Sequence, residues 1–274
     1  MHRFFVNQSN IDTDDGICKI TGTDVNHIAN VLRMKKGEQI LLSTGQKEDP
    51  VEYLCEIDEI RSDEVRARIL DLQKNARELP LNLYLFQALP KGDRFETVIE
   101  KGVELGVHGI IPVMSARCIV KLDEKRSLKK RERWNALALA AAKQSKRSFV
   151  PVVENPVNWQ GALAAAQDMD LILVPYENAQ GMRHTRDVIE GVKKLRTDLS
   201  GTRASDPALD ASGDSGKMRS VGIFIGPEGG FEEREIAQLL EMGAEVITLG
   251  HRILRTDTAG MAVLSMLMLH LEED

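Results

Sequence analysis

Residues 221–271 read VGIFIGPEGGFEEREIAQLLEMGAEVITLGHRILRTDTAGMAVLSMLMLHL. Positions 221–225 are a short apolar run that stops at Gly226-Pro227, which predicts a buried parallel strand ending in a tight turn. Acidic residues suited to a helix N-terminus come next, followed by an apolar helical face. A second strand is predicted at 244–249 and an apolar helix at 259–271. The stretch therefore predicts an α/β fold.

Two glycine-bearing loops follow the two predicted strands, one at Gly226 and one at Gly250. Loops at the carboxyl ends of neighbouring parallel strands are where open α/β sheets bind ligands, and glycines let the backbone approach closely. The glycines also suit ordinary strand-to-helix turns. No Lys-Ser or Lys-Thr follows them and the GxGxxG spacing is missing, so neither a Walker loop nor a dinucleotide fingerprint is predicted.

The composition is that of an ordinary globular protein. The 274 residues are 42% hydrophobic and 28% charged, a length that favours two domains. The start of the chain lacks an apolar signal segment and no run is long enough to span a membrane, so a cytoplasmic protein without membrane contact is expected. Three widely spaced cysteines, Cys18, Cys55 and Cys118, predict reduced thiols and no metal site.

The net charge of −6 argues against a nucleic-acid partner, but the distribution of the charges argues for one. Residues 117–147 contain eleven Lys or Arg and three Asp or Glu, a net charge of +8. Such a segment suits phosphate binding, although a solvated helix face has the same charge pattern.

Residues 1–74 are predicted to form a separate β-rich domain. Short strands are expected at 3–6, 16–20, 39–43, 52–60 and 64–72, and a small barrel is the natural packing for them. Asp24 is expected to cap a short helix between the second and third strands.

Residues 75–274 are predicted to form the second domain, because strands and helices alternate there. Strands are expected at 81–88, 109–114 and 171–175, and helices at 95–105, at about 131–145 and near 186–195. Residues 197–219 are rich in Ser, Asp, Gly and Ala, which is typical of a disordered insertion.

Several motifs together resemble the SPOUT methyltransferases and, within them, the ribosomal RNA small subunit methyltransferase E family. They are GPEGGF at 226–231 followed by Glu235-Ile236, LGHRILRTDTA at 249–259, HIANVLRMKKGEQI at 27–40, QALPKGDRFETVIEKGVELGV at 87–107, ARCIVK at 116–121 and QSKR at 144–147. The resemblance implies a parallel sheet whose C-terminal segment threads a trefoil knot, preceded by a small PUA-like β-barrel that binds RNA. It also implies S-adenosylmethionine as the cofactor, held by the knot loops.

The resemblance marks three groups of site residues. The catalytic pair would be Arg255 and Asp257; Asp257 departs from the family, where many relatives have Glu. Cofactor contacts would come from Val174, Pro175, Gly226, Pro227, Glu228, Gly230, Leu249, Gly250, Ile253 and Leu254. RNA contacts would come from Arg33, Lys35, Lys91, Arg117, Lys121, Gln144 and Arg147.

The family reaction would be methylation of uracil N3 in 16S ribosomal RNA of the small subunit, by a homodimer. Uracil N3 carries a proton at neutral pH, so the site needs a base or electrostatic stabilisation of the uracil anion, a role that suits Arg255. A structural role for Arg255 between loops or subunits remains the competing interpretation. Two alternative functions stay open: methylation of another RNA base or a ribose 2′-hydroxyl, and a non-catalytic RNA-binding role in ribosome assembly.

Overall fold

The computed structural model describes residues 1–46, 51–74, 78–177, 181–200 and 219–272. The chain divides into two compact units, one comprising Met1–Glu78 and Ala142–Val150, the other Leu79–Ala141 and Pro151–Asp274. Within the described ranges, no helix combines the length and the apolar character that crossing a bilayer requires.

The first unit contains a six-stranded mixed sheet. Its strands are β1 (His2–Phe5), β2 (Ile11–Asp12), β3 (Ile17–Thr21), β4 (Gln39–Ser43), β5 (Val51–Ile60) and β6 (Glu64–Lys74). They lie in the order β1-β4-β5-β6-β3-β2, and only the β1–β4 pair is parallel. The five predicted strands are confirmed to within two residues at each end. Among the described strands the sheet keeps two edges, β1 and β2, so the predicted barrel is an open one.

A short helix, α1 (Thr23–Asn26), and a π-type turn at His27–Val31 connect β3 to β4. Ile28 is fully buried against the sheet. The prediction that Asp24 caps this helix is wrong, because Gly22 precedes the first helical residue. The Asp24 carboxylate instead accepts two hydrogen bonds from Lys143 Nζ, at 2.9 and 3.0 Å.

Residues 142–150 group with the first unit because polar side chains of that unit form hydrogen bonds with their backbone and side chains. Glu78 accepts hydrogen bonds from Arg147 Nε at 2.7 Å and from the Ser148 backbone N–H at 2.9 Å. The Ser43 hydroxyl donates to the Ser148 carbonyl at 2.6 Å. The sequence pattern placed the whole of 75–274 in one domain, since contacts between residues 69 or 105 positions apart leave no local signal.

The second unit contains a parallel sheet. Its strands are β7 (Asn82–Ala88), β8 (Gly109–Met114), β9 (Val152–Val153), β10 (Val157–Asn158), β11 (Leu171–Pro175), β12 (Ser220–Ile225) and β13 (Glu245–Ile247). The order is β10-β8-β7-β12-β11-β13, with β9 also paired to β8. The helices are α2 (Arg94–Glu104), α3 (Glu124–Gln144, whose residues from 142 onward belong to the first unit), α4 (Trp159–Ala166), α5 (Met182–Ser200), α6 (Glu233–Glu241) and α7 (Thr256–Leu271). The predicted parallel α/β sheet is confirmed.

Buried aromatic residues form the centre of this unit. Phe86 of β7 and Phe224 of β12 are fully buried and stack with ring centroids 4.3 Å apart. Trp159 meets Phe224 edge to face and donates from Nε1 to Gln238 Oε1 at 2.7 Å. Trp159 begins α4, an alanine-rich helix that the sequence reading missed together with β9 and β10.

The path of the chain after β12 positions the functional site. β13 lies on the far side of β11 from β12, and α7 then returns to pack against α2, β7 and β12. Loops from three strand ends therefore meet on one edge of the sheet. The predicted insertion at 197–219 lies largely outside the described residues, which omit 201–218.

Candidate active site

The loops that follow β11, β12 and β13 surround a cleft at the carboxyl edge of the parallel sheet. The cleft consists of two adjoining hollows of about 520 and 740 Å³. Both are lined by Pro175, Tyr176, Glu177, Ile253, Leu254 and Ala259. This size and position suit a small-molecule ligand with apolar and polar parts.

Residues 226–231, the glycine loop, form one wall of the larger hollow. The Gly230 N–H donates to the Pro227 carbonyl at 2.8 Å, and Gly230 has a φ of +69°, which favours glycine. A Cβ atom on Gly226 would lie 3.2 Å from the Phe231 backbone nitrogen. The loop therefore closes on itself tightly, which favours glycine at both Gly226 and Gly230.

Glu228 fastens the glycine loop to the segment after β7. Its Oε1 accepts from the Lys91 backbone N–H at 3.1 Å and from Arg94 Nη1 at 3.2 Å. Burial raises the pKa of Glu228, but backbone N–H groups of Glu228 and Lys91 and the charges of Arg94 and Lys91 outweigh it, so the pKa lies below its ordinary value. The Glu228 carboxylate is thus an ionised anchor of the loop.

Two further side chains fix the same loop. Arg117 Nη1 donates to the Gly229 carbonyl at 2.7 Å. The buried Glu235 accepts from the Ala116 N–H at 2.8 Å and from the Glu232 N–H at 2.9 Å. Glu235 therefore accepts from a backbone N–H at the start of α6 that has no partner within the helix, and it connects α6 to Ala116.

Residues 250–255, the helix-entry loop, form the opposite wall of the cleft. Gly250 has a φ of +104° and its N–H donates to Thr248 Oγ1 at 3.3 Å. Ile253 has 92% of its surface exposed although it lines both hollows. Arg255 is also exposed, lines the larger hollow and immediately precedes α7.

Thr256, the first residue of α7, connects the two walls from below. It is buried, and its hydroxyl donates to the Gly226 carbonyl at 2.6 Å. Gln87, which is fully buried near the end of β7, donates from Nε2 to the same hydroxyl at 2.8 Å. Sequence reasoning missed both residues; the only available signal was a polar side chain at the end of an apolar strand.

Nine of the ten predicted cofactor residues line the cleft. Leu249 and Gly250 line the smaller hollow, Pro175, Ile253 and Leu254 line both, and Gly226, Pro227, Glu228 and Gly230 line the larger one. Val174 does not line it, because its side chain is fully buried in the core next to Ile172 and Phe224.

The two predicted catalytic residues occupy different environments. The Arg255 side chain has no hydrogen-bond or ion-pair partner among the described residues and borders the larger hollow. Asp257 lies in the first turn of α7, where a carboxylate stabilises the helix dipole. Its Oδ1 is buried without a hydrogen-bond partner in the described part of the chain, and the residue lines neither hollow.

The predicted RNA-binding residues are distributed over both units. Arg33, Lys35, Gln144 and Arg147 belong to the first, and Lys91, Arg117 and Lys121 to the second. All except Arg147 are exposed. Arg147 is 4% exposed and its guanidinium pairs with Glu78, so in this structure it braces the first unit instead of presenting a free guanidinium.

Arg33 and Lys146 are the only residues other than glycine with a positive φ in the described ranges, at 53° and 59°. Each follows a helical segment, and the next residue donates to a carbonyl in that segment's last turn: Met34 N–H to Ile28 and Arg147 N–H to Ala142. Both basic side chains therefore occupy helix-ending positions where glycine is usual.

Profiles of two known domains match the chain. One described as an RNA methyltransferase domain matches residues 77–268, and one described as an RNA methyltransferase PUA domain matches residues 20–70. The two profiles fall in the order that the sequence motifs predicted.

Curated relatives and a solved structure agree with these matches. The chain is 37% identical to the ribosomal RNA small subunit methyltransferase E of Bacillus subtilis, over 97% of this chain and 95% of that protein. It is 31% identical to the protein of the same name from Mycobacterium tuberculosis, over 90% and 84%. The crystal structure of the Neisseria gonorrhoeae ribosomal RNA small subunit methyltransferase E bound to S-adenosylmethionine matches with a TM-score of 0.71 and 28% identity, covering 97% and 95% of the two chains. The chain therefore belongs to the ribosomal RNA small subunit methyltransferase E family.

Proposed function

We propose that this protein transfers a methyl group from S-adenosylmethionine to N3 of one uracil in 16S ribosomal RNA of the small subunit. The observation that carries the proposal is the cleft in which the glycine loop and the helix-entry loop face each other with Arg255 on the rim. The names of the relatives support the substrate class, and the S-adenosylmethionine in a related crystal structure supports the cofactor.

The residues of the cleft fit this cofactor. The glycine loop brings backbone groups to the surface of the larger hollow, because Gly226 and Gly230 have no side chains to block them. Leu249, Ile253 and Leu254 offer apolar contacts for an adenine ring, and Glu177 and Glu228 offer carboxylates for polar groups. When bound, S-adenosylmethionine supplies an electrophilic methyl group.

Arg255 is the residue proposed to act on the uracil. A uracil ring attacks through N3 only after the N3 proton leaves, which places negative charge on the ring. The Arg255 guanidinium has no protein partner within the described ranges and lies at the rim of the hollow, so it is free to stabilise that charge. Asp257 is proposed in a positioning role, because one carboxylate oxygen is buried and the residue does not border the cleft.

RNA binding is proposed for exposed basic and amide side chains in each unit. These are Arg33, Lys35 and Gln144 in the first unit and Lys91, Arg117 and Lys121 in the second. Arg147 is omitted because Glu78 and the surrounding protein enclose its guanidinium. Lys and Arg at these positions would bind phosphates, which makes the affinity for RNA dependent on salt concentration.

Two architectural features of the family are also proposed for this chain. A homodimer is supported by the apolar outer face of α7, where Leu269 has 74% of its surface exposed. A trefoil knot is supported by the path of the chain across β11 to β13 and back to Gly226 and Gln87.

The test is methyl transfer from labelled S-adenosylmethionine to small ribosomal subunits that lack the native modification, followed by mass spectrometry of the nucleosides. N3-methyluridine at a single site is the expected product. A methylated base or ribose of another kind would keep the cofactor and reject the uracil assignment. Cofactor binding without transfer would favour the non-catalytic assembly role.

A further inference from the structure

Three segments that are distant in sequence meet at one hydroxyl group beneath the cleft. Thr256 Oγ1 donates to the Gly226 carbonyl at 2.6 Å and accepts from Gln87 Nε2 at 2.8 Å. Gln87 is fully buried and Thr256 is 5% exposed, so water does not compete for these hydrogen bonds. The junction joins the end of β7, the glycine loop and the start of α7.

Donor and acceptor roles in this junction have a single solution. A threonine hydroxyl has one proton and the Gly226 carbonyl only accepts, so the hydroxyl must accept from Gln87. The second proton of Gln87 Nε2 is used at the Ala88 carbonyl, 3.1 Å away. Both amide protons are therefore committed, which fixes the orientation of the amide group.

The arrangement leaves an unsatisfied atom. Gln87 Oε1 is buried and has no hydrogen-bond partner among the residues that the structure describes. Gly260 of α7 provides the space beside it, because a Cβ there would lie 3.3 Å from Oε1. A buried acceptor without a partner lowers stability. An apolar side chain of similar shape would avoid that cost, so stability alone does not explain the amide.

We infer that Gln87 and Thr256 are positioning residues that hold the glycine loop and Arg255 in one fixed arrangement. Thr256 follows Arg255 directly, and its hydroxyl is bonded to the first residue of the glycine loop. Moving this hydroxyl would shift the proposed cofactor wall and the uracil-facing guanidinium relative to each other. The inference rests on the proposed function and assigns two residues to its alignment step.

Thr256→Val removes the hydroxyl and keeps the shape, whereas Thr256→Ser keeps the hydroxyl. The matched control is Thr258→Val, two residues further along α7 at an exposed position. Two quantities are measured on folded protein at a temperature below every melting point: the Kd for S-adenosylmethionine by calorimetry, and the single-turnover transfer rate at saturating cofactor. Thr256→Val is expected to raise the Kd and lower the rate, each about tenfold, as expected for one buried hydrogen bond.

Thr256→Ser should recover both quantities to within about twofold of the wild type, since the same hydroxyl bridge forms again. A purely structural role would lower the melting temperature of Thr256→Val but leave the Kd and the rate of the folded protein equal to those of Thr258→Val. That result would overturn the inference. Should Thr256→Val not fold, Gln87→Met, which removes the donor at similar volume, decides by the same comparison. If the wild type produced no N3-methyluridine, the proposed function would fail, while the Kd values would still test the junction.

Discussion

The two walls of the cleft differ in how they are held. Three residues of the glycine loop accept hydrogen bonds from outside the loop. The Glu228 carboxylate accepts from Lys91 and Arg94. The Gly229 carbonyl accepts from Arg117, and the Gly226 carbonyl accepts from Thr256. In the helix-entry loop, the side chains of residues 251–254 make no hydrogen bond within the described part of the chain, and Ile253 is 92% exposed. The glycine loop is preorganised by its hydrogen bonds, whereas the side chains of the helix-entry loop are exposed.

This difference assigns separate tasks to the two walls. Fixed backbone groups lose little conformational entropy on binding, so the glycine loop suits recognition of the cofactor. Under the proposed function, side chains such as Ile253 and Arg255, which have no hydrogen-bond partner among the described residues, would gain their contacts only when cofactor and RNA are present. Substitutions in the glycine loop should therefore change both the cofactor affinity and the stability of the protein. Substitutions in the helix-entry loop should change the cofactor affinity or the transfer rate and leave the stability unchanged.

The largest effect is expected for Arg255→Ala. Removing the guanidinium should lower the single-turnover transfer rate by about 100- to 1000-fold, the range seen when a donor to a developing anion is lost. The Kd for S-adenosylmethionine should stay within about twofold, because the side chain faces the larger hollow without holding either loop. Arg234→Ala, at an exposed position of α6, is the control. A large loss of cofactor binding in Arg255→Ala would reject the proposed action of Arg255 on the uracil.

Gly226→Ala should distort the glycine loop. The added Cβ would lie 3.2 Å from the Phe231 nitrogen and 3.3 Å from Gly230 backbone atoms, which cannot move without distorting the loop. The expected costs are about 1–3 kcal/mol in the free energy of unfolding and roughly tenfold in cofactor affinity. Gly229→Ala is the matched control, since its Cβ would meet only the flexible Arg117 side chain at 3.5 Å. Equal effects of the two substitutions would mean that the tight closure at Gly226 is not what shapes the wall.

Ile253→Ala should change cofactor affinity without changing stability. The exposed side chain contributes little to folding, so the free energy of unfolding should stay within about 0.5 kcal/mol. Loss of an apolar contact with the adenine should raise the Kd severalfold, as measured by calorimetry. Leu240→Ala, on the exposed face of α6, should change neither quantity. An unchanged Kd in Ile253→Ala would remove this residue from the cofactor site.

Glu228→Gln should have the smallest effect, and the effect should depend on pH. The pKa of Glu228 lies below its ordinary value of 4.5, so the ionised carboxylate stabilises the folded protein above that value. This contribution is lost as the pH falls through the lower folded-state pKa. The ion pair with Arg94 is partly exposed, so the difference at pH 7 should stay below about 1 kcal/mol.

The measurement is the melting temperature of the wild type and Glu228→Gln between pH 7 and pH 3. The two curves should converge in acid, whereas Glu241→Gln, on an exposed stretch of α6, should follow the wild type throughout. A difference that grows in acid would contradict the anchoring role of the carboxylate.

The sequence predicted the longer strands of both sheets, because buried strands carry a local apolar signal; the two-residue strands β2, β9 and β10 were missed. Strands such as Gly109–Met114 and Leu171–Pro175 match the prediction to the residue. The start of α7 was predicted three residues late, since its first turn is the polar Thr256-Asp257-Thr258 and only the later residues are apolar. That error hid Thr256, the residue that joins the two walls.

The cleft itself was predicted through motif resemblance, and its supporting contacts were not. The Gln87–Thr256 hydrogen bond spans 169 positions and the Ala116–Glu235 bond spans 119. No local periodicity encodes such pairs. Arg147 is an error of the opposite kind. Its charge suggested RNA binding, but its ion-pair partner Glu78 lies 69 positions away in the sequence and holds the guanidinium inside the protein.

The junction at Thr256 also constrains the order in which the parts of the site form during synthesis and folding. Residue 256 is synthesised after β7 and β12, so the hydroxyl bridge can form only after both strands have been made. Contacts that close such long loops form slowly, because the loop-closure entropy is lost before the contact forms. The proposed cofactor cleft can therefore be complete only after α7 has docked against β7 and β12.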